Sequence, residues 1–139
     1  MKALKIGQNS VRSINLKEED GQVSLEDLQQ RVGGYIEPFS PLFKNITLYV
    51  NEDGISQCEP NRLITATRHA AELLHVEPGT PLTVLYGDII AIGFDPESGE
   101  CRDLTDGEAQ QVKDYFHTTA KPGSGAAALF SLRFALHRA

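Results

Sequence analysis

The sequence predicts a single α+β domain: a mainly antiparallel, twisted sheet of five or six strands with about three helices packed on one face. Three observations carry this. Short alternating apolar segments recur between turn residues. Three helical stripes are spaced among them rather than collected at one end. The resulting order, β-β-α-β-β-α-β-β-α, gives strands joined in pairs and helices set on the sheet they form.

Residues 2–6 and 11–16 open the chain as two strands, with Leu4 and Ile6 alternating with Lys5, and Ile14 and Leu16 alternating with Asn15. Gly7-Gln8-Asn9-Ser10 supplies the turn between them, and Glu18-Glu19-Asp20-Gly21 is a polar loop. A helix follows. Ser24 caps it with Asp27 three residues on, while Val23 and Leu28 staple the entry. Leu25, Leu28 and Val32 form its inward stripe and Gly33 stops it. Gly34 releases the chain into a strand, Tyr35-Ile36-Glu37, that Pro38 and Pro41 end. Residues 46–51 alternate cleanly, with Ile46, Leu48 and Val50 on one face. Asn51-Glu52-Asp53-Gly54 is a turn.

Pro60 suits the first turn of a second helix, whose stripe is Leu63, Ala66, Ala70 and Leu74 and which Pro78-Gly79 cannot continue. Residues 82–94 hold one or two strands broken near Gly87-Asp88; Ile89-Ile90-Ala91-Ile92 is apolar on both faces and therefore central. After a turn at 95–100, residues 101–104 form an edge strand. Thr105 and Glu108 make a capping box for a third helix, with Ala109, Val112 and Phe116 turned inward.

The domain spans residues 1–119. Lys121-Pro122-Gly123-Ser124-Gly125 is a joint to a tail element within 120–139. Two readings of that tail stand: the alternation of Phe130, Leu132, Phe134 and Leu136 favours a strand, and the alanines at 126–128 a helix.

At 139 residues, 40% hydrophobic and 23% charged, the chain has the size and composition of one globular domain. It has no apolar run long enough to span a bilayer and opens without the apolar stretch of a signal peptide, so a cytoplasmic location is expected. The net charge is −6. The three cations at Lys121, Arg133 and Arg138 leave ten cations against nineteen carboxylates elsewhere, a body charge of −9. That balance argues against direct nucleic-acid binding.

Chemistry is scarce. Gly123-Ser124-Gly125 follows a helix rather than a strand, so it is a linker and not a dinucleotide loop. His69 and His75 are six apart and share no helix face, and Cys58 and Cys101 are too few for a zinc site, so neither metal nor cofactor is expected. Cys58 near a helix start would be acidified by the dipole, yet it has no identifiable base, and it reads as an ordinary thiol. No serine occupies a nucleophile elbow, so no catalytic residue is nominated and the sequence points away from an enzyme.

The most distinctive signal is an order of short motifs: Leu28-Gln29-Gln30-Arg31-Val32-Gly33-Gly34-Tyr35-Ile36-Glu37, Leu48-Tyr49-Val50-Asn51-Glu52-Asp53-Gly54, Pro60-Asn61-Arg62-Leu63, Gly87-Asp88-Ile89-Ile90-Ala91-Ile92-Gly93 and Arg102-Asp103-Leu104-Thr105-Asp106. From Ser24 to Phe116 the chain resembles the domain-of-unknown-function 3846 family, small proteins of phages, plasmids and bacterial genomes with no established chemistry. The resemblance implies a role in phage or plasmid biology, such as inhibiting a host protein or sequestering a small anionic ligand.

The polar motif residues, Tyr35, Glu37, Asn51, Asn61, Arg62 and Asp88, are the candidate ligand-binding residues. One reading has Asn51 and Asn61 satisfying turns and caps and Arg62 pairing with Glu37 or Asp88. The other has them lining one concave site, with Arg62 near a helix N-terminus favouring a carboxylate or phosphate. Two alternatives stand beside a binding protein: an enzyme acting on a small polar or nucleotide substrate through Glu37, Asn61 and Arg62, and an interaction subunit that docks on a partner or forms a homo-oligomer through residues 126–139.

Overall fold

The computed structural model describes residues 1–118; the joint and tail anticipated beyond residue 119 lie outside them. The architecture is α+β, built on a six-stranded antiparallel sheet. Strands β1 (Lys2–Ile6) and β2 (Val11–Asn15) form the expected hairpin, with Lys2 opposite Asn15 and Ile6 opposite Val11. Next come the two-residue strands β3 (Glu18–Glu19) and β4 (Gln22–Val23), turned by Asp20 and Gly21 at positive φ where the sequence reads as a loop.

Helix α1 (Leu25–Val32) is capped as its sequence implies: the Asp27 amide donates to Ser24 Oγ at 3.2 Å, and Gly33 closes the helix at φ 78°. Strand β5 (Ile36–Phe43) pairs with β6 (Ile46–Asn51). It continues through Pro38 and Pro41, which were expected to end it, because it is the edge of the sheet and its outer side needs no donors.

After the one-turn helix α2 (Gly54–Gln57) comes the main departure from expectation. Residues 60–65 are not helical. They form strand β7 (Pro60–Thr65), which pairs with β8 (Pro81–Tyr86) in a separate two-stranded ladder; helix α3 (Arg68–Leu74) begins only after Thr67. Thr67 is its cap, with Oγ1 accepting from the Ala70 amide at 3.1 Å. The apolar spacing of Leu63, Ala66, Ala70 and Leu74 fits a helix, but β-branched Ile64 and Thr65 suit a strand, and pairing with β8 decides between them.

Strand β9 (Ile89–Asp95) is central, between β1 and β6, and β10 (Glu100–Arg102) pairs with its far end. Ile89, Ile90, Ala91 and Ile92 are all 0% exposed. Alternate residues feed two cores. Ile89 and Ala91 join Leu4, Leu48, Ile64 and Val112, and Ile90 and Ile92 join Ala3, Leu16, Leu28 and Val32. The helices therefore do not share one face: α1 covers the second core, while α4 (Asp106–Thr118) and the β7–β8 ladder cover the first. A strand apolar on both sides requires cover on both.

Helix α4 opens with the expected capping box: Glu108 N donates to Thr105 Oγ1 at 3.1 Å, and Thr105 N donates to Glu108 Oε1 at 3.0 Å. Glu108 also takes a two-pronged bond from Arg102, at 2.7 and 2.8 Å.

Candidate functional site

The six candidate residues do not converge on one surface. Tyr35, just before β5, is 70% exposed. Glu37, on the edge strand, shares a hollow of about 240 Å3 with Asn51. Asn51 itself is buried and looks inward: Nδ2 donates to Val32 O at 3.2 Å and to Gln57 Oε1 at 3.4 Å, and Oδ1 accepts from Asp53 N at 2.8 Å. It ties the end of α1 to the β6 turn, the use foreseen in the turn-and-cap reading. A Cβ on Gly34 would sit 2.9 Å from Asn51 Nδ2, so glycine is what lets the chain pass this amide. Asp88 is half-exposed and pairs with Lys5 at 3.4 Å.

Asn61 and Arg62 lie on β7, not at a helix start, because the strand displaces the helix expected there. Asn61 is 0% exposed. Its Nδ2 donates to Ile6 O at 2.8 Å and to Gly87 O at 2.7 Å, joining the end of β1 to the β8–β9 connection. Arg62 pairs with neither Glu37 nor Asp88. Its Nη1 donates instead to Gly7 O at 3.2 Å, Gln8 O at 3.1 Å, Asn61 O at 3.0 Å and Asn61 Oδ1 at 2.6 Å. The β1–β2 turn is thus held from below, and Gln8 Nε2 donating to Pro60 O at 2.9 Å and Gly7 N donating to Ser10 O at 2.8 Å fix it further. Glu37 and Arg62 line different hollows and Asn61 is sealed beneath the turn, so the trio named for an enzyme shares no pocket.

Arg62 is the unusual group. It is 2% exposed, and none of the described carboxylates forms an ion pair with it. Burial lowers its pKa, and no acidic neighbour offsets that. All four of its hydrogen bonds leave from Nη1. The opposite edge is the one whose Nε–H and Nη2–H point in parallel and match an oxyanion. On that edge Nε is buried and without a hydrogen-bond partner.

Arg62 lines a hollow of about 170 Å3 together with Asn9, Ser10 and Val11 of the hairpin and Lys113 and His117 of α4. Lys113 and His117 stand four apart, one helical turn, so they reach the hollow from the same face of α4. Asn9 and Ser10 are exposed, and Gln8, Arg62 and Pro60 set their backbone as described above. Among the described residues no carboxylate lines this hollow; its cations, an amide and a hydroxyl, set beside Val11 and Phe116, suit an anion.

Arg62 was named from the sequence; Asn9, Ser10, Lys113 and His117, which line the same hollow, were not. The Lys113–His117 spacing was readable, but the meeting of α4 with β7 across the hairpin was not.

Other chemistry stays quiet. Cys58 ends α2 rather than starting a helix, so no dipole acidifies it; burial, then the charge of Asp88, raise its pKa. Among the described residues no three of His, Cys, Asp and Glu group as metal ligands, and no helix is long and apolar enough to cross a membrane.

No curated protein and no solved structure matches the chain. The family model described as a domain of unknown function, DUF3846, matches residues 1–117, which extends the likeness from the motif-bearing span to include the first hairpin that forms one wall of the Arg62 hollow. The chain belongs to the DUF3846 family.

Proposed function

We propose that this protein binds a small anionic ligand without transforming it, and that the ligand's charged end sits in the hollow that Arg62 lines. The observation that carries this reading is the buried guanidinium with no carboxylate partner and an unbonded Nε. Desolvating such a charge without compensation costs several kcal/mol. A bound oxyanion in that hollow supplies the missing charge. Lys113 and His117 at the rim add further donors beside the apolar Val11 and Phe116. Family membership supports a setting in phage or plasmid biology, where such capture would sequester an anionic ligand.

The test is calorimetric titration of the purified chain with inorganic phosphate and, separately, with a simple carboxylate. Saturable binding of at least one is expected, weakened by salt. Lys113→Glu, which reverses a rim charge, should lower the affinity about tenfold, ~1.4 kcal/mol. No saturable binding of either anion at millimolar concentration would overturn the reading.

A further inference from the structure

We infer that the ligand is a phosphomonoester of a polyhydroxy compound, its phosphoryl group on Arg62 and its hydroxyl-rich body lying across the β1–β2 turn. This rests on the anion-binding reading above and names the ligand class.

The Arg62 hollow, at about 170 Å3, holds a phosphoryl group but not a whole metabolite. Asn9 and Ser10 also line a second, wider hollow of about 670 Å3, so the turn is common to both. Its backbone is fixed by Arg62 and Gln8. Asn9 and Ser10 are exposed. One molecule that fills both hollows passes over them.

The chemistry of the wider hollow selects the body of that molecule. Its walls carry Lys5, Gln30, Arg31, Glu59 and Asp88, a mixture of donors and acceptors. Such a mixture matches hydroxyl groups, each of which donates and accepts. Among the described residues no aromatic ring lines it, so none of them offers a flat base a ring to stack on. Lys5 is already paired with Asp88 and the two cations there are matched by two carboxylates, whereas the Arg62 hollow holds cations alone, which makes the Arg62 end the place for the ligand's charge.

The experiment is a set of titrations of the full chain with inorganic phosphate, a hexose monophosphate, the unphosphorylated hexose and a nucleoside monophosphate, read by calorimetry and by amide chemical shifts. The hexose monophosphate is expected to bind at least tenfold more tightly than phosphate, to shift the amides of Asn9, Ser10 and Gln30, and to lose about fivefold in affinity in the exposed variant Gln30→Ala. The free hexose should show no saturable binding. If phosphate binds and the hexose monophosphate binds no better, or the nucleoside monophosphate binds more tightly than the hexose ester, the ligand class is wrong while anion capture stands. If neither phosphate nor the esters bind, both fall together.

Discussion

Replacing Asn61 by alanine tests whether the family's polar motif residues are internal pins. The side chain is fully buried and makes three hydrogen bonds: Nδ2 to Ile6 O at 2.8 Å and Gly87 O at 2.7 Å, and Oδ1 from Arg62 Nη1 at 2.6 Å. Alanine leaves two buried carbonyls without their donor, at roughly 1 kcal/mol each. Arg62 loses one acceptor but keeps three others on Nη1, so that bond adds about 1 kcal/mol more. The expected loss is about 3 kcal/mol, equivalent to a fall in Tm of roughly 12 °C for a domain of this size. Urea unfolding followed by circular dichroism suits a chain without tryptophan, and the midpoint should fall by about 1.5 M with an unchanged slope. Asn61→Asp turns an oxygen toward the two carbonyl oxygens but also gives the buried Arg62 guanidinium a carboxylate at the position of its 2.6 Å acceptor, so the alanine variant is the one that isolates the donor. A loss below about 1 kcal/mol in the alanine variant would refute the claim that Asn61 joins these strands through its donor.

Three further outcomes are expected. Gly34→Ala forces a Cβ within 2.9 Å of Asn51 Nδ2 and should cost about 1–2 kcal/mol in urea unfolding, whereas Gly107→Ala in α4, with nothing within 4 Å of its Cβ, should add about 0.5 kcal/mol. The Arg102 guanidinium, against the opposing pull of burial, holds the Glu108 carboxyl below the usual range, helped by Thr105. That contribution is present above the unfolded pKa of about 4.3 and is lost as pH falls through the lower folded value; Glu108→Gln should thus cost about 1 kcal/mol at pH 7 and progressively less in acid, measured by urea midpoints across pH. Tyr35→Ser removes a ring that is 70% exposed and should leave stability within about 0.5 kcal/mol, so a large drop in Tm would place that ring in a contact the fold does not have.

The parts of the fold that were legible are those that local chemistry decides. The Ser24–Asp27 cap, the Gly33 stop and the Thr105–Glu108 box all close within a few residues, and their patterns read directly. Ile89-Ile90-Ala91-Ile92 announced a strand buried on both faces, and it also implied cover on both, a consequence that placing all helices on one face overlooked. What was not legible is what partners decide. Residues 60–65 carry a helical spacing that β8 overrides; Pro38 and Pro41 are tolerated because β5 is an edge, and Pro41 also falls in the irregular stretch between Phe39 and Phe43. The reading of Arg62 as an anion ligand rested on a helix N-terminus it does not have, and the alternative, a pair with Glu37 or Asp88, does not form. Its burial with no acid beside it depends on the meeting of β7, the first hairpin and α4, which no single stretch of sequence records.

Arg62 raises a question that its hydrogen bonds alone do not answer. If its only task were to hold the Gly7 and Gln8 carbonyls, a neutral donor would serve without the desolvation of a charge, since well-packed neutral side chains replace buried ions at little or no loss. On the reading proposed above, a guanidinium held by one nitrogen, with Nε buried and without a hydrogen bond, is a charge kept for a ligand. The arrangement divides labour between two layers. Asn61, Gln8 and the strand ends hold Arg62 in place from within, so changes there should weaken folding and binding together. Lys113, His117, Asn9 and Ser10 surround it at the rim, so changes there should weaken binding and leave the unfolding midpoint where it was. A purely structural Arg62 predicts no such division. Comparing the stability and the anion affinity of Asn61→Ala and Lys113→Glu side by side therefore separates a buried arginine that merely props a turn from one that the turn is built to present.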